Sequence, residues 1–130
     1  MKDDNKKTIF ICEDDSMMLE IYSKGFSLEG FNTMIARDGE EAKGILEKGA
    51  EKPSVFLLDI MMPKSNGFEL LEYIKSRPDL KDTPTVFLTN IFSKDDIDKA
   101  KQLGVDLYLV KSENTPQELV EKVRTFIKEK

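Results

Sequence analysis

The chain contains no histidine. That excludes imidazole acid–base catalysis, imidazole metal ligation and any role as a phosphohistidine carrier. It has one cysteine, so no internal disulfide forms, which suits a reducing compartment. No apolar run approaches the roughly 20 residues that a membrane helix needs. The segment Met1 to Lys7 is polar and charged and lacks the apolar core of a signal peptide. A cytoplasmic protein without membrane contact is expected. Basic residues are not in surplus: 20 Lys and Arg stand against 25 Asp and Glu, a net charge of −5. Direct binding of nucleic acid, which requires phosphate neutralisation, is excluded as a general function. Internal repeats, low-complexity tracts and linkers are also missing.

What is present fits one domain. The length of 130 residues leaves no room for two full domains, and 39% hydrophobic against 35% charged residues is a globular balance. The reading is a single domain over 1–130, with its core at about 8–127. Four short apolar runs stand out: Ile9 to Cys12, Val55 to Leu58, Val86 to Leu88 and Leu107 to Val110. None alternates with polar residues, as expected of strands buried on both faces of a parallel sheet. Phe31 to Ala36 is a weaker fifth candidate.

Helix-period segments lie between the runs. Met18, Ile21, Tyr22 and Phe26 are placed on one face, as are Ala42, Ile45 and Leu46, and Phe68, Leu71 and Ile74. Leu119, Val120, Val123, Phe126 and Ile127 form the clearest stripe. Lys94 to Gln102 offers only Ile97 and Ala100 as apolar residues, so that helix is expected to be the most loosely held. Caps are predicted at Asp38 with Glu41, Ser93 with Asp96, and Thr115-Pro116 with Glu118. Gly30, Gly49 and Gly104 mark helix ends. Strand then helix, five times over, predicts an α/β fold: a doubly wound five-stranded parallel sheet of flavodoxin-like type, flanked by five helices.

Open parallel sheets bind ligands at the carboxyl ends of their strands. Glu13-Asp14-Asp15 follows the first strand, Asp59 ends the third, Thr89 the fourth, and Lys111 follows the fifth. If the strand order is 2-1-3-4-5, these residues line one crevice. Clustered carboxylates repel, and a hard cation such as Mg²⁺ removes that cost through oxygen ligands. Asp59 is then a candidate nucleophile, and Thr89 and Lys111 are candidates to stabilise a phosphoryl group. One of Asp14, Asp15 and Ser16 is equally suited to cap the first helix. Cys12 reads as a buried structural thiol.

These residues carry a resemblance. Glu13-Asp14-Asp15, Leu57 to Pro63, Asn66 to Leu70, Leu88-Thr89 and Tyr108 with Lys111 are similar to the signature of the receiver domain of bacterial two-component response regulators, along Thr8 to Ile127. The resemblance implies that Asp59 accepts phosphoryl from a histidine kinase or a phosphotransfer protein. It implies Mg²⁺ ligation by Asp15, Asp59 and the Met61 carbonyl, with Asp14 holding a metal-bound water. It implies that Lys111 pairs with Asp59, that Thr89 moves toward the phosphoryl oxygen, and that Tyr108 turns inward with it. The face of the fourth helix, fifth strand and fifth helix would then bind a downstream protein.

Departures from that signature also carry expectations. Ser112 stands where the family has proline, which puts the usual cis peptide in question and re-aims the loop. Asn90 replaces a small residue. Met61 and Ile91 are apolar at positions that tune hydrolysis, which predicts a long-lived phosphoryl group. Asp106 and Lys122 retain only part of the family's dimerisation pattern, so a monomer or weak dimer is expected.

Other classes compete. A Mg²⁺-dependent phosphohydrolase needs a second acid where Met61 stands. A flavodoxin-like cofactor site needs a phosphate loop that Glu13-Asp14-Asp15 would repel. A degenerate receiver acting as a constitutive interaction module is the alternative reading. A receiver excised from a longer regulator is a variant of the leading one. Self-phosphorylation and self-dephosphorylation, rather than turnover of a substrate, are the chemistry expected.

Overall fold

The computed structural model describes residues 6–49, 51–60, 66–90 and 93–128. The five apolar segments are strands: β1 Thr8–Cys12, β2 Asn32–Ala36, β3 Val55–Asp59, β4 Thr85–Thr89 and β5 Leu107–Val110. The helices between and after them are α1 Ser16–Leu28, α2 Gly39–Lys48, α3 Gly67–Ser76, α4 Lys94–Gln102 and α5 Pro116–Lys128. All neighbouring strands are parallel, in the order β2-β1-β3-β4-β5.

The unalternating runs follow from burial on both sides. Successive strand residues point to opposite faces. Phe10, Cys12, Phe56, Leu58 and Phe87 pack with Ala42, Leu46, Phe68, Leu71, Ile74 and Ala100, beneath α2, α3 and α4. Ile9, Ile11, Val55, Leu57, Val86 and Leu88 pack with Leu19, Tyr22, Phe26, Leu119, Val120, Val123 and Ile127, beneath α1 and α5. Neither face of the central strands meets water.

The α1 stripe differs from its expectation. Leu19, Tyr22 and Phe26 are buried, whereas Ile21 is 38% exposed. Residues 19, 22 and 26 follow the i, i+3, i+7 spacing, which turns Ile21 outward. Gly25 lets α1 and α5 close up, since a Cβ there would lie 2.9 Å from Val120 Cγ2.

The expected caps form. Asp38 accepts from Glu41 N at 2.8 Å and Ser93 Oγ from Asp96 N at 3.1 Å. Thr115 and Glu118 make a reciprocal capping box, with bonds of 3.1 and 2.8 Å. Asn66, not among the expected caps, caps α3 by accepting from Glu69 N at 3.0 Å. Gly49 ends α2 at φ 64°, a left-handed conformation that favours glycine. Ala100 is the one buried residue of α4, so this helix has the thinnest apolar anchor of the five.

Cys12 is buried within β1, and burial pushes its thiol well above the ordinary range. Thr83 Oγ1, just before β4, is buried without a hydrogen-bond partner among the described residues. An orphaned buried hydroxyl costs stability, and valine has the same shape without it. Thr83→Val should therefore raise the unfolding free energy by about 1 kcal/mol, read as a higher urea midpoint at unchanged slope.

Candidate functional site

The strand order places the ends of β1, β3, β4 and β5 side by side. Asp59 is the last residue of β3 and lies opposite Leu88 of β4, while Thr89 lies opposite Val110. Asp59 is 4% exposed and Thr89 fully buried. Lys111 follows β5 directly, and its Nζ donates to Asp59 Oδ2 at 2.9 Å. The same ammonium is ion-paired with Glu13.

Glu13 directly follows β1, and its N–H donates to Ala36 O of β2 at 3.0 Å. Its side chain is 1% exposed, and Oε2 accepts from Asp15 N at 3.1 Å. One carboxylate oxygen each from Glu13, Asp14 and Asp59 lies within 4.8 Å of the others.

The acids group differently from the set that the resemblance implied. Asp15, expected as a direct metal ligand, is the N-cap of α1, where Oδ1 accepts from Met17 N at 3.0 Å and Met18 N at 3.2 Å. Those bonds turn its carboxylate toward the helix start, and the cluster is completed by Glu13 instead. The acids whose oxygens converge on Asp59 are Glu13 and Asp14. Met61, expected to offer a backbone carbonyl, lies outside the described residues, as does Ile91.

Electrostatics follow from this crowding. Burial, then the neighbouring Asp59, pushes the Glu13 carboxyl above the usual range, and Lys111 opposes the shift. Asp14 is raised by partial burial and by Glu13. Burial by itself would lower the Lys111 ammonium, but Glu13 and Asp59 outweigh it and the group is raised. One cation thus faces three carboxylates. An all-oxygen donor set with unbalanced negative charge fits a hard divalent ion such as Mg²⁺ or Mn²⁺.

The local backbone supports the cluster. Gly67 N donates to Ile60 O at 2.9 Å, and a Cβ on Gly67 would fall 2.5 Å from Asp59 O. Only glycine lets the start of α3 press against the strand end that carries Asp59. The segment Lys111–Glu113 is a short 3-10 turn, with no cis peptide bond among the described residues. Asn114 Nδ2 donates to Val110 O at 2.8 Å and Lys122 bonds Asn114. Ser112 therefore sits in a pinned turn, and Lys111 still reaches Asp59. Asn90 is exposed at the rim. Tyr108, on β5, is half-buried, its ring edge-on to Phe87 at 6.4 Å.

A five-stranded 2-1-3-4-5 sheet with an acidic cluster, a hydroxyl and a lysine at its carboxyl edge defines the receiver class. The chain belongs to the response regulator receiver domain family, whose sequence model matches residues 9–124. Response regulator Rcp1 of Synechocystis is 36% identical over 116 residues, covering 83% of this chain and 78% of Rcp1. The transcriptional regulatory protein CpxR of Escherichia coli is 33% identical over 120 residues, or 92% of this chain and 49% of CpxR. The chain thus spans about half the length of CpxR. The Mn²⁺-bound form of Rcp1 superposes with a TM-score of 0.84 at 31% identity, covering 92% and 93% of the two chains. The phosphorylated cyanobacterial phytochrome response regulator RcpA superposes at 0.82 and 31% identity, covering 93% and 91%.

The cap and the cluster separate by mutation. Asp15→Ala should cost about 1 kcal/mol of stability through the lost cap and leave Mg²⁺ affinity within twofold by calorimetric titration, roughly the scatter of a remote change. Asp14→Asn should weaken Mg²⁺ by roughly tenfold or more while raising thermal stability, because it relieves repulsion. The reverse pattern would assign the ion to Asp15.

Proposed function

We propose that this chain is a phosphoacceptor receiver, phosphorylated on Asp59 by the phosphohistidine of a histidine kinase or phosphotransfer protein. The observation that carries the reading is Lys111 bonded to Asp59 at 2.9 Å and paired with Glu13 in a cluster completed by Asp14. A buried, fixed carboxylate beside a cation is what acyl phosphate formation requires.

Glu13, Asp14 and Asp59 are the side chains that would hold Mg²⁺. When bound, the ion supplies charge neutralisation for the incoming phosphoryl oxygens. An Asp59 carboxylate oxygen bonds to phosphorus as the phosphorus–nitrogen bond to the donor imidazole breaks. The imidazole leaves with its electron pair and takes up a proton. Lys111 already points at the site of new charge and transfers its pairing from the carboxylate to the phosphoryl oxygens. The Thr89 hydroxyl, at the end of the adjacent strand, is the second donor. Its movement, followed by Tyr108, would re-set the face formed by α4, β5 and α5 for a downstream protein.

The whole is read as one receiver unit that modifies itself and turns over no separate substrate. The net charge of −5 opposes direct nucleic-acid binding. Asp106, half of the partial dimerisation pattern, accepts from Thr85 N at 2.8 Å, and Lys122 bonds Asn114. Both are engaged within the chain, which favours a monomer or weak dimer.

Incubation with acetyl phosphate and Mg²⁺ should add the mass of one phosphoryl group, and Asp59→Asn should abolish the gain. Addition that persists in the variant would remove Asp59 from the role. No addition, together with no Mg²⁺ binding, would favour the constitutive interaction module. After removal of the donor, the phosphoryl group should persist for minutes or longer, since apolar residues such as Met61 and Ile91 are poorly suited to orient an attacking water. Decay within seconds would refute that expectation.

A further inference from the structure

The ammonium of Lys99, midway along α4, lies 4.5 Å from the centroid of the Phe68 ring. That is inside the roughly 6 Å range of a cation–π contact. Among the described residues no carboxylate is ion-paired with Lys99, although Asp95, Asp96 and Asp98 share its helix. The contact matters because α4 has little else, burying only Ala100.

Phe68 is no ordinary partner. It follows Gly67, whose missing side chain lets the α3 start press on the Asp59 carbonyl. Its ring meets Phe87 edge-to-face at 5.4 Å, and Phe87 meets Tyr108 edge-to-face at 6.4 Å. An aromatic row thus runs from the backbone beside Asp59, across β4, to β5. The charge of Asp96 reaches Tyr108 at the far end of the same row. Helix α4 therefore straddles the row, with Lys99 on Phe68 and Asp96 toward Tyr108.

We propose that Lys99 tethers α4 in its resting position by gripping the Phe68 ring, and that this grip opposes the shift of α4 on phosphorylation. The tether itself stands on the contact alone. Its regulatory consequence rests on reading Asp59 as the phosphoacceptor. A row of interlocked rings is rigid, so a displacement at Asp59 or at Tyr108 alters the ring face that Lys99 holds. Losing the grip frees α4 at no cost to the core, because Lys99 is exposed.

The test compares Lys99→Met, which keeps the stem and removes the charge, with Lys99→Arg, which keeps the cation. In the unphosphorylated protein, hydrogen exchange of the α4 amides should be roughly two- to fivefold faster in Lys99→Met, the range for a surface cation–π contact. It should be unchanged in Lys99→Arg. In a Phe68→Leu background, Lys99→Met should add no further acceleration. With Mg²⁺, beryllofluoride, a phosphoryl mimic, should bind Lys99→Met tighter by the same roughly two- to fivefold factor, since the resting state alone is weakened. Equal α4 exchange in Lys99→Met and wild type would overturn the tether. Faster exchange with unaltered beryllofluoride affinity would overturn its regulatory role. Failure of wild type to bind beryllofluoride would count against the phosphoacceptor reading and against the regulatory role, while the exchange arms decide the tether independently.

Discussion

Lys111 holds together a part of the molecule that would otherwise repel itself. Glu13 and Asp59 are almost fully buried, Asp14 is close by, and the lysine pairs with the first two. Buried ion pairs repay their desolvation poorly, and a hydrophobic replacement often folds as well or better. Stability alone therefore gives little reason for such a cluster at the edge of an otherwise apolar sheet. The raised Glu13 and Asp14 carboxyls show the same imbalance: one cation is too little for three acids. That deficit fits a hard divalent ion.

The rest of the fold serves to bring these groups together. Glu13 and Asp59 are 46 positions apart in sequence, and Lys111 lies 52 beyond Asp59. A parallel sheet solves the separation, because every strand delivers its carboxyl end to the same edge. The doubly buried strands keep that edge rigid, with alternate side chains locked beneath α2, α3 and α4 or beneath α1 and α5. Gly67 adds the last constraint by letting α3 press against Asp59.

Much of this was legible in the sequence, since unbroken apolar runs, capping pairs and glycines are local signals with local causes. Asp59, Thr89 and Lys111 were readable because a polar residue closing an apolar run has few other reasons to be there. The same rule, applied to the first run, selects Glu13: it is the first residue after Cys12, just as Asp59 ends the run from Val55. The resemblance instead put direct ligation on Asp15, which the structure places at the start of α1. Three consecutive acids do not show where a strand stops and a helix starts, and a slip of one residue reverses which way a side chain points. In the structure two backbone N–H groups, of Met17 and Met18, bond Asp15 at the helix start. The outward Ile21 has a similar origin, since a helical stripe tolerates neighbouring phases until a partner helix chooses one. Here α5 chooses it, meeting α1 across Gly25 and Val120.

The Phe68 contact belongs to a kind of information that the sequence hides altogether. A lysine on a mostly charged helix reads as solvated surface, and nothing in the spacing of residues 68 and 99 joins them. Only the packed arrangement shows that the helix with the thinnest apolar anchor is held by its polar side. That combination suits a mobile element. An apolar anchor large enough to fix α4 would also bar it from moving, because packed cores are bistable only when little surface must be exchanged. A cation resting on a ring face is weaker, has no tight steric fit and can be released without exposing a core. The fold is thus tightly packed around Asp59, Glu13 and Lys111, while α4 rests on Ala100 and on the Lys99 contact with Phe68.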